Sequence, residues 1–410
     1  MKILIVSCVF PPEPVVSSQI SKDLAISLKS IGNDVTVLAP DPSRPLGFKL
    51  DYNPGGDKAF YYQNQMPGIE IIHLDSYVSP ESKLWRRFLE SYSFGQVVSR
   101  FIKKNGGEYD LVYINSWPVF SQYLIARACR RIDIKYVMHI QDIYPESLIN
   151  KLPRVLRWLV KLVLMPLEKY HLKHASKVIV ISDKMKALLI KSRGLNTRSV
   201  SVVYNWQDEK VPSGHLRLVG SEEHKFTFTY LGNIGPIAGV ETLIRAFHLA
   251  EIKDTCLVIA GSGARKQGCM ELANSFPNSD IRFIAVPAGQ VALVQQQADV
   301  LLLPVIKGGA LSSIPSKLPS YMFSAKPILA TLDLESDTAR AILDASCGWV
   351  GEAEDVVWLA NMMKRIYTMT PVHLHDIGEN GFNYCTANFS KSVNLQKLVN
   401  QIVDDKHHSS

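Results

Sequence analysis

Short apolar, β-branched runs alternate along almost the whole chain with longer segments whose apolar residues recur at helical spacing. The first run, KILIVS at residues 2–7, is followed by SQISKDLAISLKSIG at 18–32, which ends in a glycine of the kind that closes helices. Near-continuous apolar strands that alternate with helices form parallel sheets covered by helices on both faces. The pattern therefore predicts a doubly wound α/β fold.

The alternation is interrupted once, at residues 206–225, which are polar and contain Pro-Ser-Gly. A chain of 410 residues is too long for one ordinary domain. We therefore predict two Rossmann-like domains, at 1–207 and 208–387, with a last helix at 388–405 that packs back on the first. The predicted strands lie at residues 2–7, 34–39, 69–74, 110–115, 136–140, 177–182 and 201–205, and then at 226–232, 255–261, 281–286, 300–305 and 327–332.

Composition excludes several classes of protein. Apolar residues make up 47% and charged residues 20%, which is typical of a globular chain. The six cysteines are scattered without a C-x-x-C pair, which fits apolar fillers in a reducing compartment. The apolar N-terminus is short and is followed by Pro-Pro, so we interpret it as the first strand and not as a signal peptide. No zinc spacing or aromatic ribonucleoprotein motif indicates nucleic-acid binding, and no apolar run is long enough to span a membrane.

The net charge of +7 is concentrated at residues 151–177, where seven Lys and Arg face a single Glu. These cations alternate with Leu, Val and Trp, and the candidate membrane contacts among them are Arg154, Arg157, Trp158 and Lys161. Basic surfaces with exposed apolar side chains bind anionic lipid. We therefore expect a cytoplasmic protein in peripheral contact with the anionic inner face of the plasma membrane, with KLWRRFLESY at residues 83–92 as a second contact. The alternative is an ordinary solvated helix face.

Two glycine-rich turns follow strands of the second predicted domain. Gly232 and Gly235 lie between strand 226–232 and an amphipathic helix, and Gly261 and Gly263 follow the next strand. Backbone N–H groups at such a turn, and the helix dipole behind it, favour an anion. The alternative is a tight turn, and neither spacing is the G-x-G-x-x-G of a dinucleotide site.

A lysine stands at an unusual place in GALSSIPSKLPSYM, residues 309–322. Lys317 follows Pro-Ser at the predicted first turn of a helix, where the dipole favours acidic side chains. Because this turn and both glycine turns follow strands of one parallel sheet, they meet at one edge. We expect a diphosphate there to contact Ser316, Lys317 and the amides around Gly235, unless Lys317 is simply a surface lysine.

The ordered series of segments resembles the GT-B family of retaining glycosyltransferases of the family 4 type, over nearly the whole chain. The segments are FPPEPVVSSQISKDLAISLKSIGNDVTVLAP, KVIVISDKMKALLI, SVVYNWQD, YLGNIGPIAGVETLIRAF, LVIAGSG, QQADVLLLPV, IPSKLPSYMFSAKPILAT and GENGFNYCTANFS. Each is a weak signal alone, but their order is specific. Through its Gly-Asn-x-Gly and Pro-Ser-Lys segments, the chain resembles more closely the capsule and colanic-acid branch, which includes deoxyamino-sugar transferases.

The resemblance implies a fold of two Rossmann-like domains facing a cleft. It implies retaining transfer of a sugar from a nucleotide-diphosphate donor of the UDP or GDP type, held by the second domain, to an acceptor held mainly by the first. Because the family builds bacterial surface polysaccharides such as capsule and O-antigen, the implied acceptor is a lipid-linked saccharide. The leaving phosphate would take the acceptor proton, which would explain why no base–nucleophile pair is evident. No cofactor and no metal ion is expected, since no His, Cys or Asp cluster has the spacing of metal ligands.

The chain departs from the family pattern at several positions. Ser312 and Ser320 replace the usual pair of glutamates, and Asn233 and Ala238 replace an Arg and a Lys near the first glycine turn. Of those three family cations only Lys317 is kept. Two alternatives therefore stay open: a non-catalytic subunit that binds a nucleotide sugar, and a GT-B nucleotide-sugar epimerase.

In the first domain, the family's His-Asp pair corresponds to Gln141-Asp142, with His139 close by in the strand. We therefore count Asp142 and His139 with Lys317 as catalytic candidates. The alternatives are a helix cap or turn for Asp142 and a buried strand residue for His139. Glu13, after the first strand, is an acceptor-side candidate or a turn residue.

In the second domain, Asn233 joins the donor-binding candidates because it lies inside the first glycine turn. Glu335 and Asp337 follow strand 327–332 and are candidates for contact with the donor ribose. The alternative for both acids is to cap the next helix.

Overall fold

The computed structural model describes most of the chain as two compact units. The first comprises Met1–Asn205 with Asn394–Ser410, and the second comprises Trp206–Val393. The sequence analysis set these divisions at 207/208 and 387/388. Most of the predicted linker lies outside the described residues, which are 1–13, 15–42, 60–62, 66–79, 84–116, 119–149, 153–206, 225–287, 289–310 and 314–403.

The first unit contains an eight-stranded sheet in the order β3-β4-β2-β1-β5-β6-β7-β8. All neighbouring pairs are parallel except the short edge strand β3, which is antiparallel to β4. Every strand predicted for this half is present, and β3 is an addition. The strands are β1 (Lys2–Ser7), β2 (Asp34–Pro40), β3 (Phe60–Tyr62), β4 (Glu70–Leu74), β5 (Leu111–Asn115), β6 (Lys135–Ile140), β7 (Lys177–Val180) and β8 (Val200–Val202).

Helices connect these parallel strands, and the apolar runs become a core that is shielded from water. Ile3, Leu4, Ile5 and Val6 of β1 are all completely buried, as expected for a strand covered on both faces. The cysteines of the chain are all buried free thiols, as the composition predicted. The helices are α1 (Val16–Ser30), α2 (Leu84–Asn105), α3 (Phe120–Arg131), α4 (Glu146–Ile149), α5 (Arg154–Lys173) and α6 (Asp183–Arg193).

The second unit contains a six-stranded, fully parallel sheet in the order β11-β10-β9-β12-β13-β14. The strand order reverses between β9 and β12, the kind of switch point at which open α/β sheets bind ligands. All five predicted strands are present, and β14 is an addition. The strands are β9 (Phe226–Leu231), β10 (Thr255–Ala260), β11 (Ile281–Ile284), β12 (Val300–Pro304), β13 (Ile328–Thr331) and β14 (Gly348–Gly351).

The chain ends in a helix that returns to the first sheet. Within the first unit, Ser201 of β8 donates to Gln401 at 2.8 Å, and the Tyr204 amide donates to Asn394 at 3.2 Å. The remaining helices are α7 (Val240–Ala250), α8 (Lys266–Asn274), α9 (Val291–Gln296), α10 (Lys317–Phe323), α11 (Asp337–Asp344), α12 (Val356–Tyr367), α13 (Pro371–Asn388) and α14 (Lys391–Val403).

A buried arginine holds the loop that follows β6. Arg193, the last residue of α6, is 1% exposed, and its Nε donates to Glu168 of α5 at 2.8 Å. Its other nitrogens donate to both carboxylate oxygens of Glu146 at 2.6 Å and to the Tyr144 carbonyl at 2.7 Å. Burial raises the pKa of Glu168 to about 8, although Arg193 acts in the opposite direction. The loop that begins with Asp142 is therefore tied to both α5 and α6.

Candidate active site

The two glycine turns of the second unit pack directly against each other beyond β9 and β10. The Gly232 amide donates to the Ala260 carbonyl at 2.9 Å, and the Ile234 amide donates to the Ser262 carbonyl at 2.8 Å. A Cβ on Gly261 would lie 2.1 Å from the Gly232 carbonyl oxygen, and Gly261 has a φ of +144°. Only glycine allows this contact. The glycines therefore do form tight turns, and this conformation brings the backbones of the two turns into contact.

Lys317 lies on the first of these turns. It is the first residue of α10, as predicted, and a Cβ on Gly232 would come within 2.3 Å of the Lys317 Cε atom. The ammonium group donates to the Tyr230 hydroxyl and lies 4.0 Å from the centroid of that ring. The Tyr230 hydroxyl in turn donates to the Asn233 carbonyl at 2.6 Å. The lysine is therefore anchored where β9 ends, beside the switch point between β9 and β12.

The charge of Lys317 is not neutralised. Burial lowers the pKa of Lys317 to about 8, because the charged form loses hydration in this half-buried position. Among the residues that the structure describes, no carboxylate forms an ion pair with it. An anion at this point would raise the pKa of the lysine. Lys317 is thus a half-buried cation at a helix start, and its role in binding an anion stays a prediction.

A second cation, which the sequence analysis missed, lies beside the glycine turns. The Arg265 amide donates to the Ile234 carbonyl at 2.9 Å, and its exposed side chain lies 3.2 Å from Glu241 in the first turn of α7. Exposed ion pairs of this kind stabilise by only ~0–1 kcal/mol. Little therefore holds the guanidinium away from a bound anion. The signal was present as the Arg-Lys pair that follows the second glycine turn.

The N-terminus of α7 completes the set of positive groups. Gly239 is its N-cap residue, with a φ of +61°, and offers no side chain to its first amides. The amide ends of an eleven-residue helix favour a negative charge. This helix follows the turn that contains Gly235, as the sequence analysis expected.

A buried carboxylate that the sequence analysis also missed fixes the loop leading to Lys317. Asp333 lies just beyond β13 and is 8% exposed; it accepts hydrogen bonds from the amides of Gly308 at 2.8 Å and Ala310 at 3.1 Å. Those amides belong to the loop between β12 and α10, of which residues 311–313 lie outside the described part. Asp333 thus orders the start of the segment that ends at Lys317. Its signal was an acid directly after a strand.

The other acids beyond β13 have different positions. Glu335 is exposed in the turn before α11. Asp337 is the buried first residue of α11 and lies 3.7 Å from Arg340. Ser336 accepts from the Ala339 amide and is the N-cap. The prediction that Glu335 or Asp337 caps α11 is therefore wrong, because Ser336 is the N-cap residue. Asp337 still complements the helix dipole.

Two of the three serines that the sequence analysis considered lie in the described part of α10 and its N-cap. Ser316 is exposed at the N-cap position of α10. Ser320, one turn after Lys317, accepts a hydrogen bond from Gln295 of α9 at 2.8 Å. Ser312 lies outside the described residues. At the Ser320 position a neutral hydrogen-bonded pair thus stands where the family pattern has a carboxylate.

His139 is a buried residue of β6. It is 1% exposed; its Nδ1 is hydrogen-bonded to the Tyr113 hydroxyl, and its Nε2 lies 3.0 Å from Gln141 Nε2. Gln141 accepts in turn from Asn205 at 2.9 Å. Burial lowers the pKa of His139 to about 3, so the ring is neutral near pH 7. The burial and the two contacts favour a positioning role for His139 over acid–base catalysis.

Asp142 and Glu13 both follow strands of the first sheet, but their surroundings differ. Asp142 is exposed at the carboxyl end of β6 and accepts from the Ile143 amide at 2.8 Å. Glu13 is buried in the loop after β1, where its amide donates to the Phe10 carbonyl at 3.2 Å and its carbonyl accepts from the Val15 amide at 2.9 Å. Asp142 is therefore the more accessible candidate, and Glu13 has the backbone bonds of a turn residue.

Both predicted membrane contacts carry exposed apolar side chains, which we together call the apolar patch. Trp158, Leu162 and Val163 of α5 are exposed, Trp158 to 64%, and so are Trp85, Leu89 and Tyr92 of α2. Both helices pack on one cluster that includes Phe88, Phe120, Val160 and Leu164. Lys161 is exposed and Arg157 is half-buried, whereas the side chain of Arg154 lies outside the described part. None of the described helices combines the length and hydropathy of a membrane span.

Comparison with known proteins agrees with the arrangement of both units. Residues 19–210 match the family model described as Glycosyltransferase Family 4, and residues 217–384 match the model described as Glycosyl transferases group 1. The probable glycosyltransferase WbjE of Pseudomonas aeruginosa is 24% identical over 275 residues, which cover 65% of this chain and 68% of that protein.

Solved structures show the same fold at low identity. Sucrose-phosphate synthase from Thermosynechococcus elongatus is 16% identical, with a TM-score of 0.71 and full coverage of both chains. HepE of Anabaena in complex with UDP is 16% identical, with a TM-score of 0.70 and coverage of 98% of this chain and 100% of that one. Both units therefore have the GT-B arrangement of strands and helices.

We predict that Asp333→Asn lowers affinity for a nucleoside diphosphate about tenfold, since the loss of one hydrogen bond to a charged group is worth ~1.5–3 kcal/mol. The amide would keep one acceptor but turn a donor toward the second backbone N–H, which loosens the loop before Lys317. Calorimetric titration measures the change. The matched control is Asp299→Asn, because Asp299 accepts from the Thr227 amide at 2.8 Å at the opposite edge of the same sheet. Equal loss of affinity in both variants would show that Asp333 has no special link to the site.

Proposed function

The chain is a GT-B glycosyltransferase of the family 4 type, and we propose that it transfers a sugar from a nucleoside-diphosphate donor to a lipid-linked saccharide with retention of configuration. The observation that carries the proposal is the position of Lys317, half-buried on Gly232 at the switch point of the second sheet and without a carboxylate partner in the described structure. The site is built for an anion of high charge, and the diphosphate of a nucleotide sugar is such an anion.

In this proposal the second unit binds and stabilises the departing diphosphate. Negative charge on the diphosphate grows as the bond to the sugar breaks, so a fixed cation acts most strongly in the transition state. Lys317 supplies that cation, and Arg265 and the amide end of α7 add to it. The leaving phosphate takes the acceptor proton on the face from which it departs. No metal ion is needed, since these groups already balance much of the developing charge.

The proposed donor is of the UDP type, with GDP as the alternative. HepE of Anabaena, which shares the fold, has been solved with UDP and with UDP-glucose. The contacts assigned to Lys317 and the glycine turns address phosphate groups and not the base. The base is therefore proposed from the similarity of fold alone.

The proposed acceptor is held by the first unit, close to Asp142, at the cytoplasmic face of an anionic membrane. The apolar patch beside Arg157 and Lys161 has the composition of an interfacial surface. WaaG, a glycosyltransferase involved in lipopolysaccharide biosynthesis, shares the fold with a TM-score of 0.65 and 16% identity. A role in surface polysaccharide synthesis, such as capsule or O-antigen, fits both observations.

A second candidate function is a non-catalytic subunit that binds a nucleotide sugar. The neutral Ser320–Gln295 pair favours it, because a hydroxyl cannot supply the negative charge of the glutamate in the family pattern. These two functions and the epimerase alternative differ in one measurable respect. A transferase releases nucleoside diphosphate only when an acceptor is present, an epimerase converts the donor without any acceptor, and a binding subunit does neither.

We predict that UDP binds at least tenfold more tightly than UMP at pH 7, because only the diphosphate places a second phosphate at Lys317. The pKa of unliganded Lys317 is about 8, and pairing with an anion raises it. Binding therefore takes up a proton above pH 8, and affinity for UDP falls by up to about tenfold per pH unit there. Calorimetry at pH 7 and pH 9 measures both effects. An affinity for UDP that does not change with pH in the wild type would exclude this role for Lys317.

We predict that Lys317→Ala lowers the rate of single-turnover sugar transfer by about a hundred- to thousandfold, the usual effect of losing ~2.7–4 kcal/mol of electrostatic stabilisation. Donor affinity should fall less, and the melting temperature should stay close to wild type. Lys307→Ala is the matched control, since Lys307 is exposed in the same loop. Ser320→Ala should have a much milder effect than Lys317→Ala. Transfer by Lys317→Ala at the wild-type rate would refute the proposed site.

We predict that flotation with vesicles requires phosphatidylglycerol and weakens in high salt, because each cation near an anionic surface contributes roughly 1 kcal/mol and is screened by ions. Trp158→Ala with Leu162→Ala should reduce recovery with the vesicles. Val357→Ala with Val372→Ala removes exposed apolar side chains of the second unit and serves as the control. Equal recovery with neutral and anionic vesicles would contradict membrane contact.

A further inference from the structure

A groove between α2 and α3 of the first unit is lined by cations. Its volume is about 350 Å³, within the range of small-ligand sites. Four of its eight lining residues are Lys or Arg, two from each helix, and the rest are small, polar or aliphatic. The lining residues are Gln96, Ser99, Arg100, Lys103, Leu124, Arg127, Ala128 and Arg131.

The two helices pack closely where the middle of α2 meets the first turn of α3. A Cβ on Gly95 of α2 would lie 2.7 Å from the Ser121 Cα of α3, so the backbones can approach closely only because this residue is glycine. Beyond Gly95 the helices carry long side chains on the facing surfaces. The space between residues 96–103 and 124–131 is therefore bordered by arginine and lysine.

The four cations of the groove have no negative partner. Within the described structure, none of Arg100, Lys103, Arg127 and Arg131 forms an ion pair, and no carboxylate lines the groove. Cations in the last turn complement a helix dipole, which accounts for Lys103 and Arg131. Arg100 and Arg127 lie about one turn earlier, so the dipole does not account for them. All four cations are exposed, so solvent weakens the repulsion between them, and an anion in the groove would convert that repulsion into attraction.

A buried hydroxyl also points to a ligand. Ser99 is 6% exposed and lines the groove, and its Oγ has no hydrogen-bond partner in the described structure. A buried hydroxyl without a partner costs about 1–3 kcal/mol. An acceptor oxygen in the groove would satisfy it.

The groove is separate from the proposed site of transfer. The chain leaves α2 at Asn105 and soon enters β5, and it leaves α3 at Arg131 and soon enters β6. The groove therefore lies toward the edge of the sheet where strands begin, whereas Asp142 follows the end of β6. Along α2, Lys103 is about 20 Å from Leu89 of the apolar patch, at 1.5 Å per residue.

We propose that this groove binds the phosphate group of a small ligand or of a lipid headgroup. Arginine forks match phosphate oxygens in pairs, and the serine hydroxyl adds a neutral donor. The volume leaves room for a group attached to the phosphate. No aromatic side chain is among the lining residues, so the groove has no surface on which a nucleic-acid base would stack.

The test uses pyrophosphate as the soluble probe. All variants are made in the full chain with Lys317→Ala, so that binding of pyrophosphate at the proposed donor site is weakened. Arg100→Ala with Arg127→Ala is compared with Lys364→Ala with Arg365→Ala, which removes the same charge from the exposed face of α12. Calorimetry should show binding at least about tenfold weaker in the groove variant than in the control. Ser99→Ala should weaken binding a few-fold while the melting temperature holds or rises.

Vesicles distinguish the two sources of phosphate. Phosphatidylcholine vesicles with and without phosphatidic acid are mixed with the wild type, the groove variant and the charge-matched control. Selective loss of pyrophosphate binding supports a soluble ligand, selective loss of vesicle binding supports a headgroup, and loss of both supports a phosphate site open to either. Groove and control variants that behave alike with both probes would overturn the proposal.

Discussion

The parallel direction of the strands in the second sheet is the constraint on which the candidate site depends. Parallel strands end at one edge, so loops far apart in sequence meet there without any further device. Gly232, Gly261, Lys317 and Asp333 follow four adjacent strands and gather at that edge. The glycines then set the distance, because any side chain at Gly232 or Gly261 would push the turns or the lysine away. The topology of the sheet therefore determines where the candidate site lies, and the side chains then determine its charge.

The energetics of Lys317 follow from the same packing. Burial against Tyr230 and Gly232 removes water from the ammonium group, which raises the free energy of the charged form when no anion is bound. The same loss of water strengthens the attraction to any anion that arrives. The hydrogen bond from Lys317 to Tyr230 meanwhile keeps the ammonium in one place. A fully solvated lysine would be more stable alone but a weaker and less oriented partner.

The sequence predicted the fold well because long apolar runs determine buried parallel strands almost by themselves. It missed β3 and β14, which are short and lie at sheet edges, where burial leaves a weaker pattern. It indicated Lys317 as a candidate site residue because a cation at a helix start is unusual. It missed Asp333, Arg265 and Arg193, since their roles depend on backbone groups and partners that only the fold brings near. His139 was left with two interpretations, and only its contacts with Tyr113 and Gln141 favour one of them.

The hydrogen bonds of Arg193 attach α5 to the first unit by its inner side alone. Glu168 ties α5 to the first unit from the inner side, through a guanidinium that also holds the loop of Asp142. Trp158 and Leu162 lie on the outward side of α5, where they are exposed and take no part in these hydrogen bonds. Substitution of these outward side chains should consequently leave the anchored loop of Asp142 unaltered.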